Sequence, residues 1–425
     1  MNKNIIFFLF NLALLLNFAS CNTTEPPVDG NALALKLEDV SCTEAWITLT
    51  TNLTLPATVA LKQNNNTIST ITLGSADTLL YINSLMPNNN YNFQVSGSQH
   101  LALSNVVNLT TLDTTSHNFT WQSWTFGEHS SSVLNDVAII DENNIWAVGE
   151  IYMNDSLGQP DPHPYGLAHW DGSEWNLMKV PYHDFNQSVK HPGPLFAIAV
   201  IEGEIYVVSY ANLLKWNGND WEEKAFFMVQ IPFDGQVLKM WGYNGNNIYC
   251  VGRNGAIYYY FGTSWLKIES GTELNIGDIW GIPDDNGSYN KYLAADNSML
   301  IIDNNNQLLR IDAEPGHSLS SVWGISKRLI YTAGGYGLSL YKNYSWEKIN
   351  ELNVNTIYNV RGQNYNDVFG LSSTFLILHF NGFNWQYINV GISNVYYRQD
   401  VKNNLIAAVG RQDQKAVITL IRRNY

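Results

Sequence analysis

The chain opens with Met1-Asn2-Lys3-Asn4, a single positive charge, and then runs apolar from Ile5 to Phe18 with only Asn11 and Asn17 interrupting. That run is shorter than the roughly 20 residues a helix needs to span a bilayer comfortably, and it matches the apolar core of a secretory leader. From Asn22 to Asn31 the periodicity vanishes around Pro26-Pro27, as expected of a flexible tether. After that the pattern is alternation. Ala34 to Val40, Ala45 to Leu49, Thr58 to Leu61, Ile68 to Leu73, Leu79 to Leu85, Tyr91 to Val95 and Val106 to Leu109 each alternate apolar with polar positions. Turn residues separate these runs at intervals of about 8–12 residues, the spacing of short strands packed as a sandwich.

From residue 119 onward the alternation itself repeats. A turn followed by tryptophan recurs in Asp171-Gly172-Ser173-Glu174-Trp175, Asn217-Gly218-Asn219-Asp220-Trp221, Phe261-Gly262-Thr263-Ser264-Trp265, Lys342-Asn343-Tyr344-Ser345-Trp346 and Asn381-Gly382-Phe383-Asn384-Trp385. The trailing tryptophans are 46, 44, 81 and 39 positions apart, and the 81 reads as two periods with a degenerate turn at Asn304-Asn305-Asn306-Gln307 between them. A second element leads the repeats: Met240-Trp241-Gly242, Ile279-Trp280-Gly281, Val322-Trp323-Gly324 and Val360-Arg361-Gly362, with weaker copies near Ala138, Ala199 and Tyr396. A third, typified by Ile145-Trp146-Ala147-Val148-Gly149 and Ile248-Tyr249-Cys250-Val251-Gly252, lies between them. Counting it gives seven repeats of about 35–60 residues, each reading as four strands, which is the signature of a β-propeller. The last repeat ends one strand short, at Val417 to Ile421, while Trp121 to Phe126 supplies an unassigned outer strand ahead of the first. An N-terminal strand that closes the ring would leave no open edge. The expected fold class is therefore all-β, a sandwich followed by a seven-bladed β-propeller closed by an N-terminal strand.

Three stretches resemble known families. Phe18-Ala19-Ser20-Cys21 is similar to the lipobox of bacterial lipoproteins, although that family usually has Leu where Phe18 stands. The resemblance implies that Cys21 is lipidated and anchors an exported protein in the cell envelope, at the outer membrane or the cell surface. An ordinary leader with an incidental cysteine is the competing reading. Leu85-Met86-Pro87-Asn88-Asn89-Asn90-Tyr91-Asn92-Phe93-Gln94-Val95 resembles the L-x-P-x-x-x-Y-x-F-x-V signature of fibronectin type III domains, with Trp46 at the place of the family's core tryptophan. The turn-and-tryptophan repeats resemble, loosely, the Asp-box turns of sialidase-like propellers and the repeats of photosystem-assembly-factor propellers. Here Asp171 and Gly172 are adjacent and the aromatic falls four positions on, one register away from the Asp box. The resulting domain expectation is a signal peptide over 1–20, a tether over 21–31, a fibronectin type III-like sandwich over 32–113 and the propeller over 119–425.

Composition narrows the function. Only 14% of residues are charged and the net charge is -14, which disfavours the Lys- and Arg-rich surface that nucleic acid requires. It equally disfavours docking on an anionic membrane through a basic patch, so the membrane contact expected is the lipid at Cys21. The 52 Asn and 31 Gly supply turns. Cys42 and Cys250 fall in different domains inside apolar strands, and buried thiols are the expectation there over a disulfide.

Candidate chemistry concentrates in the first repeat. Glu150 to Gly166 and Tyr182 to Pro194 are two excursions predicted on the same face of the ring, the face where the second-to-third-strand loops open. His163, His183, Asp184 and His191 form the candidate ligand-binding set there, since imidazole and carboxylate suit divalent ions or polar ligands. Against a metal, no pair has HExxH or i, i+2 strand spacing, and solvated polar loops are the plain alternative. Of the other histidines, His169 is predicted on a strand and His317 in a later loop. No cofactor motif and no catalytic residue is recognised. The functional expectation is a non-catalytic binding or scaffold protein taking a protein or glycan ligand. The alternative is a sialidase-like hydrolase, whose arginine trio would have to be drawn from Arg253, Arg361, Arg398 and Arg411.

Overall fold

A computed structural model describes residues 32–97, 102–183, 188–210, 212–226, 235–284, 286–312, 318–374, 376–391 and 394–424. The leader, the tether, Cys21, Asp184 and His317 lie outside the described residues. The chain divides into two compact units at Thr111/Leu112. Among the described residues no α-helix occurs.

The first unit has seven strands in two antiparallel sheets. Leu33–Val40, Ala45–Thr51 and Asp77–Ile82 form one, and Asn66–Leu73, Ala57–Gln63, Asn90–Gly97 and Val107–Thr110 form the other. Their alternating apolar positions, including Leu35, Ile47, Val59, Leu73, Phe93 and Val107, gather into one shared core. Trp46 is fully buried. At the corner after Leu85, the Met86 backbone N–H donates to the Tyr91 hydroxyl at 2.9 Å, so the tyrosine ties one strand end to the next.

Among the described residues the second unit has seven four-stranded antiparallel sheets, in chain order, and one two-stranded hairpin. Their first strands are Val133–Asp141, Ala197–Ile201, Val237–Asn244, Asp278–Pro283, Leu319–Ser326, Ile357–Asn364 and Asn394–Lys402. Successive first strands pack side by side, and that of the seventh sheet packs against that of the first. The seventh sheet is completed from the other end of the unit: Phe119–Phe126 pairs antiparallel with Lys415–Arg423, from Ala416 opposite Phe126 to Arg423 opposite Phe119.

Two of the three repeated sequence elements acquire a physical reason. Trp241, on the third sheet, lies across Gly281 of the fourth, where a Cβ would meet its ring at 1.9 Å. Trp323, on the fifth, lies over Gly362 of the sixth, where a Cβ would meet its ring at 2.7 Å. Trp280 donates its indole N–H to the Gly324 carbonyl at 2.9 Å. The Trp-Gly element thus couples the third sheet to the fourth, the fourth to the fifth and the fifth to the sixth. The turn-and-tryptophan element instead closes the outer hairpin. Trp170 faces Trp175, Trp216 faces Trp221, Tyr260 faces Trp265, Tyr341 faces Trp346 and Phe380 faces Trp385, with ring centroids 5.0 to 5.5 Å apart. Such cross-strand aromatic pairs are worth about 0.5–1.5 kcal/mol each. In three of them the turn is set by an Asx side chain, Asp171, Asn217 or Asn381: Asp171 Oδ1 accepts from the Ser173 and Glu174 N–H groups, each at 2.9 Å. Gly172 follows at φ +96°, where glycine carries no Cβ penalty. In the fourth sheet the hairpin lacks the tryptophan, and Asp303 to Gln307 makes the turn before Leu308–Asp312.

Candidate functional site

In an antiparallel four-stranded sheet, the loop from second to third strand and the exit to the next sheet emerge at the same end. In the first sheet both are long, and they come together. Asp161 takes the Lys179 ammonium at 2.5 Å, an ion pair that, with the His163 backbone N–H, lowers the Asp161 pKa. The His163 and His191 rings lie nearly parallel, centroids 6.2 Å apart. The exit segment folds into a small hairpin of its own, Pro181–His183 with Lys190–Pro192, and the Tyr182 hydroxyl fastens it by donating to the Pro194 carbonyl at 3.0 Å. His163 and His191 are exposed. His183 turns to another partner: its Nδ1 is 3.0 Å from Glu223 Oε1, which also accepts the Lys190 ammonium at 2.9 Å. Among the described residues no three His, Cys, Asp or Glu side chains are grouped to hold a metal ion.

The second concentration of chemistry lies where the first strands converge. The sequence singled out Arg361 and Arg398 from it, but not the carboxylates or Lys239. Three carboxylates and three cations meet there: Asp136, Asp278 and Asp400 with Lys239, Arg361 and Arg398. Lys239 donates to both oxygens of Asp136 at 2.6 and 2.8 Å, and both side chains are buried. Arg361 grips Asp278 in a two-point contact at 2.7 and 2.8 Å and lies 5.1 Å from the Trp280 ring centroid. Arg398 reaches the Gly277 carbonyl at 2.7 Å. Each carboxylate also accepts backbone N–H groups from two sheets: Asp136 from Val137 and Ile198, Asp278 from Ile279 and Val322, Asp400 from Val401 and Ile139. Ser321 Oγ does the same for Val360, and Asn359 Oδ1 for Gln399. A polar residue on one first strand therefore satisfies the backbone of the next.

Burial alone would push the Asp278 pKa up, but the Arg361 charge and hydrogen bonds outweigh it and bring it down to about 2. Asp400 lacks so close a cation, and burial raises its pKa. A cavity of about 270 Å³ opens onto this cluster, lined in part by Lys239, Arg361, Asp400, Trp241 and Trp280. Of the four arginines the hydrolase alternative would draw on, Arg361 alone is in that lining, and its guanidinium is spent on Asp278. Arg253 and Arg411 are exposed. The one sequence signal for the rest of the cluster was a charge directly ahead of an apolar-Trp-Gly run, as in Lys239 and Asp278.

No protein-family model matches the chain, and no curated protein matches it. Solved structures do. YCF48 bound to D1 peptide superposes with a TM-score of 0.53 at 12% identity, covering 72% of this chain and 95% of that one. The WD40 β-propeller domain of Doa1 gives 0.54 at 10% identity, covering 72% and 97%. Likeness at such identities is one of fold. The chain is an all-β protein containing a β-propeller.

Proposed function

We propose that this is an exported, lipid-anchored protein of the bacterial cell envelope, in which a fibronectin type III-like domain carries a closed seven-bladed propeller. The propeller acts as a non-catalytic binding or scaffold module and takes its ligand on the face where the second-to-third-strand loops open. The observation that carries this reading is the contrast between the axis and that face. At the axis each of the three cations already has an acceptor within the fold, whereas the first sheet's loops build an extra hairpin presenting exposed His163, Lys190 and His191. The contacts between the first strands of the seventh and first sheets support closure. The structural relative solved with a bound peptide makes a protein ligand the favoured class over a glycan.

The test uses the full-length protein in detergent on peptide and glycan arrays. Binding that is lost on His163→Ala with His191→Ala supports the proposal. Binding indifferent to those substitutions, or turnover of a glycan, overturns it. Cys21→Ser should move the protein from the membrane to the soluble fraction, and continued membrane association would remove the lipid anchor from the account.

A further inference from the structure

Two imidazoles meet where the N-terminal strand enters the last sheet. His117 lies two residues ahead of Phe119–Phe126, and His379 is buried on Leu376–Phe380 of the sixth sheet. Their Nδ1 atoms are 2.7 Å apart and the rings meet edge-on, centroids 4.6 Å apart. At the outer ends of the pair, His117 Nε2 is 2.9 Å from Asn384 Oδ1 and His379 Nε2 is 3.1 Å from Asp367 Oδ1. Arg423, near the end of the last strand, bonds the same Asp367 oxygen. Phe369 stacks on His379 at 4.5 Å and Phe119 meets its edge at 5.0 Å. The cluster therefore joins three segments far apart in sequence: the entry to the N-terminal strand, the last strand and the sixth sheet.

Counting protons shows what the pair can hold. A carboxylate only accepts, so His379 Nε2 carries a proton, and a second lies between the two Nδ1 atoms. With Asn384 presenting its oxygen, His117 Nε2 must carry a third, and the pair shares one imidazolium charge. Turning the Asn384 amide over presents its N–H instead and leaves both rings neutral. A fourth proton has no place, because it would set two N–H groups against each other at 2.7 Å.

We infer that His117 and His379 form an acid-released clasp holding the N-terminal strand in the last sheet, closed until both imidazoles are charged. The charged groups facing the pair are Asp367 from the sixth sheet and Arg423 from the last strand. The entry segment adds Thr115, whose hydroxyl is 3.4 Å from His379 Nε2, and the backbone carbonyl of Asp113, which accepts from Asn366 at 2.8 Å. Burial lowers the pKa of both histidines, and it takes His379 to about 4 despite Asp367. An opened His379 would titrate near 6.5. Between those values the open state binds more protons, so the clasp is fully effective above pH 6.5 and weakens as pH falls toward 4. For His379 alone, this linkage favours opening by about thirtyfold at pH 5 relative to neutral pH. The inference rests on the strand pairing of the last sheet and requires no ligand.

Hydrogen exchange of the full-length protein in detergent, corrected for intrinsic rates, tests it between pH 7.5 and 5. Amides of 119–126 and 415–423 should lose protection by about thirtyfold while those of 237–244 stay constant. His379→Gln should cut that response to below about threefold, whereas His117→Gln leaves His379 buried beside Asp367 and should keep most of the pH response while lowering the protection of 119–126 at pH 7.5. The clasp is overturned if the two sets of amides lose protection together, or if neither changes. It is equally overturned if His379→Gln keeps the full response, or if His117→Gln leaves the protection of 119–126 at pH 7.5 unchanged. Should His379→Gln fail to fold, the wild-type comparison and His117→Gln decide alone.

Discussion

A methyl group on Gly281 would collide with the Trp241 ring, whereas one on Gly74 would meet nothing within 4 Å. Gly281→Ala should therefore cost about 1–3 kcal/mol, the range for overpacking a tight contact, and Gly74→Ala should stay within about 0.5 kcal/mol. Urea denaturation with an unchanged slope checks both. Asp278 and Arg361 give a second residue-level expectation. Arg361→Met alone strands a buried carboxylate and should cost about 3–5 kcal/mol. Adding Asp278→Leu should recover only part of that loss, because it relieves the stranded charge but orphans the buried Ile279 and Val322 N–H groups that the carboxylate accepts. A double-mutant cycle that shows simple additivity would refute the coupling. At this scale the Trp-Gly motif was visible in the sequence, since it is local and recurs, although each contact joins a Trp to the Gly of the next sheet. Arg361 was legible as a charge on a predicted inner strand, but the partners of the ion pairs were not, because Lys239 finds Asp136 across 103 residues and Arg361 finds Asp278 across 83.

The outer hairpins and the last sheet carry the argument at the scale of elements. Asx turns flanked by facing aromatics explain why a turn-plus-tryptophan signal could be read as a strand pair, and Phe119–Phe126 takes the outer place that the seventh repeat leaves vacant. Removing it would bare one edge of Ala416 to Ile421, a buried apolar strand whose other edge pairs with Leu405–Gln412. A chain beginning at residue 112 should remain monodisperse, and one beginning at 127 should aggregate in light scattering at the same concentration. Equal solubility of the two would contradict the pairing. What the pattern did not disclose is the hairpin of Pro181–His183 with Lys190–Pro192: three-residue strands bounded by proline carry no readable alternation. The excursions that meet through Asp161–Lys179 and His163–His191 were legible as loops sharing one end of a sheet. His183 belonged to the same sequence cluster, yet its ring pairs with Glu223 on the next sheet, a partner 40 residues away.

For the whole molecule, seven sheets held by neighbour-to-neighbour contacts would behave as an open array unless the last is fastened to the first. In the proposed closed ring that fastening is shared by the N-terminal strand, the first-strand contacts and the buried carboxylates, with Asp400 of the seventh sheet accepting from Ile139 of the first at 2.8 Å. A surface ligand adds to this from outside. A metal or glycan that shifts the melting temperature, with the shift abolished by His183→Ala, would place the ligand on the loops of the first two sheets. A shift unaffected by that substitution would move it elsewhere. The central structural claim is the closure itself, and Ser123 and Thr419 offer its most direct test, being opposite one another with hydroxyl oxygens 2.7 Å apart. In the Ser123→Cys, Thr419→Cys variant, mild oxidation of the folded protein should form one intramolecular disulfide and raise the melting temperature. Two thiols that stay reactive in the native state, with no crosslink formed, would contradict it.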